Sequence, residues 1–140
     1  MADMIKSKVL FELVTPTALI FSEDVDMVVV PGIEGDFGVL PGHTPVLTTI
    51  RPGVINVHTE DGVTKALFVE GGFVEANSDS CTVLADGATE ISEITSEDAQ
   101  ARLKAARDAV GDSDDVAAGN EVKVAEAMVL AAGGNNATQH

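Results

Sequence analysis

The side chains most able to do chemistry crowd into one short segment, Glu34, Asp36 and His43, with Cys81 and the adjacent Glu60 and Asp61 elsewhere. A histidine beside two carboxylates suits acid–base work, or a metal held in a loop. As an acid–base set, the cluster would make the isolated chain an enzyme whose activity falls on His43→Ala. The spacings argue otherwise. No histidine stands at a metal-ligand spacing from another histidine or from the cysteine. There is no nucleophile elbow, no P-loop and no GxGxxG run entering a helix. Glu60 and Asp61 are neighbours in a turn, where water solvates both, rather than a facing acid–base pair. Cys81 shares a phase with Val83 and Ala85 and has no basic neighbour to lower its pKa. It is expected as a small buried hydrophobe. The expectation is a chain with no catalytic residue, no metal and no cofactor of its own.

Composition narrows the partners. Of 140 residues, 45% are apolar, enough for a core. The 23 acids against 8 Lys and Arg give a net charge of −15, which repels nucleic acid and anionic lipid and favours proteins that present Lys and Arg. A sandwich that binds a small ligand or carbohydrate would need aromatic residues in a cleft, and Trp and Tyr are absent. One cysteine permits no internal disulfide and suits a reducing compartment. The N-terminal residues read as neither a signal nor a transit peptide. No window reaches the roughly 18 unbroken apolar residues of a membrane span, so direct membrane insertion is not expected.

Two regimes position these residues, changing near residue 88. From Lys8 to about Ala88, short β-branched runs alternate with period two, as at Val9, Phe11 and Leu13 or Val25, Met27 and Val29. Asp61-Gly62 and Asn77-Ser78-Asp79-Ser80 are turns between such runs. Val28-Val29-Val30 is apolar on both phases and should be covered on both faces. After Thr95-Ser96-Glu97-Asp98, a capping-box-like start, Ala99, Leu103, Ala106 and Val110 form one helical stripe. A second helix is expected over about 121–132, with Val122, Ala125, Val129 and Ala132 on one face, stopped by Gly133-Gly134-Asn135-Asn136. The expected fold is mainly β with α: a two-sheet β-sandwich of about ten short strands (1–88), an antiparallel two-helix hairpin (89–134), and a disordered tail (135–140). Stripes of Ala and Val bury little area, so the hairpin should dock weakly.

Between strands lies Pro31-Gly32-Ile33-Glu34-Gly35-Asp36-Phe37-Gly38-Val39-Leu40-Pro41-Gly42-His43-Thr44-Pro45. Glycines allow positive φ and close approach, while prolines fix φ and lower the entropy lost on binding. Corner-turning explains the Gly and Pro, but does not require the acids or the histidine. Glu34 and Asp36 on a stiff platform suit arginine partners.

The run Gly32–Leu47 resembles the signature of the F-type ATP synthase epsilon subunit family, G-x-x-G-[acid]-x-G-x-x-P-G-H-x-P-x-L. The segments LVTPTALIFSEDVDMVVVPG, IRPGVINV, FVEGGFVE and CTVLAD resemble its other strands in order. The resemblance covers residues 9 to about 88. It implies a non-catalytic central-stalk subunit that links the gamma subunit to the ring of c subunits and couples proton flow to ATP synthesis. Peripheral placement at the cytoplasmic face of a bacterial inner membrane is implied with it. Asp36 matches the family's acid at the c-ring polar loops, and His43 a residue near the gamma interface. The implied interface comprises Glu34, Gly35, Asp36, Phe37, Gly38 and His43. The hairpin would face the alpha/beta head. Two departures fall there. The nucleotide motif [IL]-D-x-x-R-A is replaced by Glu97–Arg102, with the arginine one place late and about 100° around the helix, so no nucleotide is expected. From Asp112 to His140 the only basic side chain apart from the terminal histidine is Lys123, so inhibition through an acidic loop of the beta subunit should be weak or absent.

Overall fold

Strands form where the alternation and the turn residues place them. The computed structural model describes residues 8–60, 62–111 and 115–137. In chain order the strands are β1 (Val9–Thr15), β2 (Ala18–Val25), β3 (Met27–Gly32), β4 (Gly35–Val39), β5 (Val46–Ile50), β6 (Gly53–Thr59), β7 (Gly62–Val69), β8 (Gly72–Ala76), β9 (Ser80–Ala85) and β10 (Ala88–Glu90). A 3₁₀ turn (Ile91–Glu93) leads to α1 (Ser96–Val110) and α2 (Val116–Ala137).

The sheet runs β10-β7-β6-β3-β5-β8-β9-β1-β2, with β4 paired to β3. A single pair, Gly32 with Ile50, joins β3 to β5, and there the ladder turns from one layer into the other. All neighbours are antiparallel except β1 and β9, which run parallel with Phe11 opposite Cys81. Between the layers sits one core that includes Val9, Phe11, Leu13, Val28, Val30, Ile55, Val57 and Val83. Its members are one phase of each strand, as period two demands. Val28 and Val30 are fully buried and Val29 half-buried, so that run is sealed completely only on its inner phase. Cys81 is buried in this core, and loss of solvation pushes its thiol up to about 12.

Both expected turns are present. Thr59 pairs with Gly62 across the β6–β7 hairpin, although Asp61 itself lies outside the described residues. In the β8–β9 turn, Asn77 Oδ1 accepts from the amides of Asp79 (2.8 Å) and Ser80 (3.0 Å), the self-bonding that suits Asn to such positions.

The outer face of β6 and β7 carries the helices. Phe68 is buried there beneath Ile91, Ile94, Ala99, Ala131 and Ala132. Thr95 caps α1, its Oγ1 accepting from the Asp98 amide at 3.0 Å. Ala99, Leu103 and Ala106 are buried along α1, and Ala125 and Ala132 along α2, on the stripes the sequence marks.

Two boundaries differ from the sequence reading. β10 pairs with β7 through residues 88–90, so the last strand crosses the division expected at residue 88. The second helix begins at Val116 and runs to Ala137, through the glycines and asparagines expected to stop it and into the stretch 135–137 expected as tail. A glycine ends a helix by adopting a left-handed cap, and Gly133 does not have positive φ, whereas Gly111 after α1 does (51°). Residues 138–140 of the expected tail, and Asp112 to Asp114 of the break between helices, lie outside the described residues.

Candidate partner interface

The Gly- and Pro-rich segment forms a corner held by backbone hydrogen bonds on both sides. Ile33 N donates to Thr49 O (2.9 Å), Arg51 N to Pro31 O (3.0 Å), His43 N to Leu40 O (3.1 Å) and Gly42 N to Ser78 O (2.9 Å). Gly32 is needed at the β3–β4 turn, where a Cβ would stand 2.9 Å from both Gly35 O and Phe37 Cε1. Gly35, with φ of 137°, completes the turn. These bonds and the β3–β4 pairing fix most of the segment's backbone.

On one side of this corner Glu34, Gly35, Phe37 and His43 border a hollow of about 300 Å³, with Ile33 and Val46 as its apolar wall. The rings of Phe37 and His43 lie 6.3 Å apart, and His43 Nδ1 donates to the Thr44 carbonyl at 2.5 Å. Glu34 is exposed, and among the described residues no Lys or Arg lies within 4 Å of it. Asp36 and Gly38 do not border the hollow. Gly38 faces Met27, whose sulfur would lie 3.3 Å from an added Cβ.

Asp36 is already engaged. Arg51 Nη2 donates to Asp36 Oδ1 at 2.5 Å, and Arg51 Nη1 to the Gly32 carbonyl at 2.5 Å. Arg51 is absent from the residues expected on sequence grounds. The signal was the basic residue opening Arg51-Pro52-Gly53, but its target, 15 residues upstream, becomes visible only with the β3–β5 register. Both side chains are substantially exposed (59% and 40%), so the pair contributes at most about 1 kcal/mol. A second arginine can therefore compete for Asp36 at small cost.

A second polar cluster fixes the hairpin. Arg102 Nε donates to Glu121 Oε2 at 2.8 Å, and Nη2 to Glu70 Oε1 at 2.9 Å and Glu121 Oε1 at 3.0 Å. One guanidinium thus ties α1 to α2 and to the end of the β7 strand. The Glu121 and Glu70 hydrogen bonds raise the Arg102 pKa, and Arg102 holds the Glu121 carboxyl below its ordinary range. Apolar contact is sparser, with a hollow of about 450 Å³ between the β6 face and α2, lined by Val54, Ala66, Ala127 and Leu130.

Among the described residues no group of three His, Cys, Asp or Glu side chains could hold a metal ion. No described helix is long and apolar enough to cross a membrane.

Residues 8–91 match the family model for the ATP synthase delta/epsilon chain, β-sandwich domain. The chain is 51% identical over 128 residues to an ATP synthase epsilon chain of Paramagnetospirillum magneticum, covering 89% of this chain and 96% of that one. It is 46% identical over 125 residues to one of Rhodospirillum rubrum, covering 86% and 93%. Among solved structures it is similar to a chain of the Euglena gracilis mitochondrial ATP synthase OSCP/F1/c-ring assembly, with a TM-score of 0.76, 25% identity and coverage of 97% and 84%. A chain of the Tetrahymena thermophila central stalk/c-ring assembly shares the fold, with a TM-score of 0.61 at 16% identity and coverage of 94% and 98%.

Proposed function

The chain belongs to the ATP synthase delta/epsilon family, and from that premise we propose that it is a non-catalytic rotor subunit gripped through its Gly32–Pro45 corner. In this reading the sandwich binds the gamma subunit and rests on the polar loops of the c-ring. It passes torque between them, so that ion flow is coupled to ATP synthesis. The complex holds it peripherally at the cytoplasmic face of a bacterial inner membrane.

The observation that carries the reading is the corner itself. Its backbone is fixed at both ends, so little entropy is lost on binding. It offers a carboxylate at Glu34 with no Lys or Arg within 4 Å among the described residues, and a weakly held one at Asp36. Basic loops would be attracted to both, and bidentate contacts resist slipping under load. Glu34, Gly35, Phe37 and His43 border the hollow that such a loop would fill, and Asp36 and Gly38 complete the contact from β4. Acid–base chemistry by the same residues has less support, because Asp36 is held by Arg51 and does not border the hollow with His43.

Regulation by the hairpin should be slight, because α2 carries Lys123 as its only Lys or Arg against an acidic target. Two measurements test the reading. A tagged full chain should co-purify with gamma and c-ring subunits, and recovery of the chain alone would refute the assignment. Truncation after Gly111 should change the ATPase rate of the assembled enzyme by less than about twofold. A large activation would show that the hairpin inhibits.

A further inference from the structure

Arg51 stands where the ladder passes from one layer to the other, directly after β5, and three of its groups reach back to β3 and β4. Its amide donates to the Pro31 carbonyl at 3.0 Å. Nη1 donates to the Gly32 carbonyl and Nη2 to Asp36 Oδ1, each at 2.5 Å. Pro31 pairs with Asp36 and Gly32 with Gly35, so one guanidinium spans both strands of the β3–β4 turn. The local sequence sets this reach. Pro52 biases Arg51 towards extended backbone. Gly53 lets β6 begin close against β3, where a Cβ would stand 3.0 Å from the Pro31 Cβ.

Charge alone does not account for a cation at this place. The chain has 8 Lys and Arg and a net charge of −15, and a positive side chain here opposes the attraction of a basic partner. What the cation supplies is a fixed carboxylate. Asp36 is exposed, and without a bond its side chain would turn freely on β4. A partner would then have to order it, which weakens binding severalfold. Arg51 takes only Oδ1. Among the described residues Oδ2 accepts no hydrogen bond, and a carboxylate has room for about four. A Lys or Arg from outside can therefore join Arg51 on the same carboxylate.

We propose that Arg51 is a positioning residue for the partner contact, holding Asp36 by one oxygen so that the other meets a Lys or Arg of the neighbouring subunit. This rests on the reading of the Gly32–Pro45 corner as the grip, and adds the residue that sets the corner's charged group. Arg51 touches Asp36 and the Gly32 carbonyl, and acts on the partner through them.

The test is a double-substitution cycle in the full chain, titrated against ATP synthase depleted of that chain at physiological ionic strength. Asp36→Asn should weaken binding roughly tenfold. Arg51→Gln should weaken it roughly three- to tenfold, although it makes the chain more negative. In the Asp36→Asn background the same Arg51→Gln change should alter affinity by less than about twofold, because the carboxylate it holds is gone. Arg51→Lys restores a bond to Asp36 and should bind within about twofold of the wild type. Lys104→Gln, the same charge change at an exposed position of α1, should not weaken binding. Unchanged or tighter binding by Arg51→Gln overturns the proposal, and tighter binding identifies Arg51 as a competitor for Asp36. Additive losses in the double variant, no recovery in Arg51→Lys, or an equal loss in Lys104→Gln overturn it as well. In all these cases a loss in Asp36→Asn alone leaves the corner standing as the grip. An Asp36→Asn chain that binds like the wild type overturns the proposal together with Asp36's part in that grip.

Discussion

Gly72→Ala should destabilise the sandwich by at least about 3 kcal/mol, a shift readable from urea unfolding. Gly72 pairs with Ile50 on one side and Ala85 on the other, at the join of β5, β8 and β9. A Cβ there would stand 2.0 Å from the Leu84 carbonyl oxygen and 2.9 Å from the Ala85 Cα. Both are backbone atoms of a central strand, so relief requires β9 to move away from β8. The residue also has φ of 139°, where any L side chain is strained. Gly62→Ala is the control. It also has positive φ (94°), but nothing lies within 4 Å of the Cβ position. It should cost only the conformational part, about 1–2 kcal/mol. Equal effects of the two substitutions would show that the close approach of β9 to Gly72 is wrong.

Phe68→Ala should release the helical hairpin while leaving the sandwich folded. Phe68 is fully buried on the outer face of β7 and is the one large ring among Ile91, Ile94, Ala99, Ala131 and Ala132. The alanines of α1 and α2 have little area to lose, so their burial depends on the ring they surround. Truncating a buried Phe costs about 3–5 kcal/mol, which corresponds to roughly two to four orders of magnitude in an opening equilibrium. Amide exchange in α2 should accelerate by that order, with the β1 and β9 amides unchanged. Acid should act on the same equilibrium through the ion pairs. Because Arg102 depresses the Glu121 pKa in the folded chain, the pair's contribution is fully present above the ordinary value of 4.5. It is lost as pH falls through the lower folded value, so the hairpin should loosen only below about pH 4.5. Uniform acceleration across the chain in Phe68→Ala would mean that hairpin and sandwich unfold as one unit.

Much of this architecture is written locally. Alternation at Val9, Phe11 and Leu13 gives a strand, Asn77 makes its own turn, and Thr95 caps α1 through the Asp98 amide. What local patterns do not carry is any contact between distant strands. The parallel pairing of β1 with β9 joins residues some 70 positions apart with no turn between them to mark it. Arg51 and Arg102 were hidden for the same reason, since each reaches carboxylates on other elements. α2 runs past the end the sequence marks because Gly133 and its neighbours favour a stop without imposing one.

In the proposed assembly another subunit covers the corner at Glu34. A Glu34→Cys substitution in the full chain reports on it directly, because the native Cys81 is buried with its thiol pushed up to about 12 and does not compete for label. Maleimide labelling at position 34 should be at least about tenfold slower in assembled ATP synthase than in the isolated chain. Equal rates, with the chain shown to remain bound, would mean that Glu34 faces solvent in the assembly and that the corner grips no subunit.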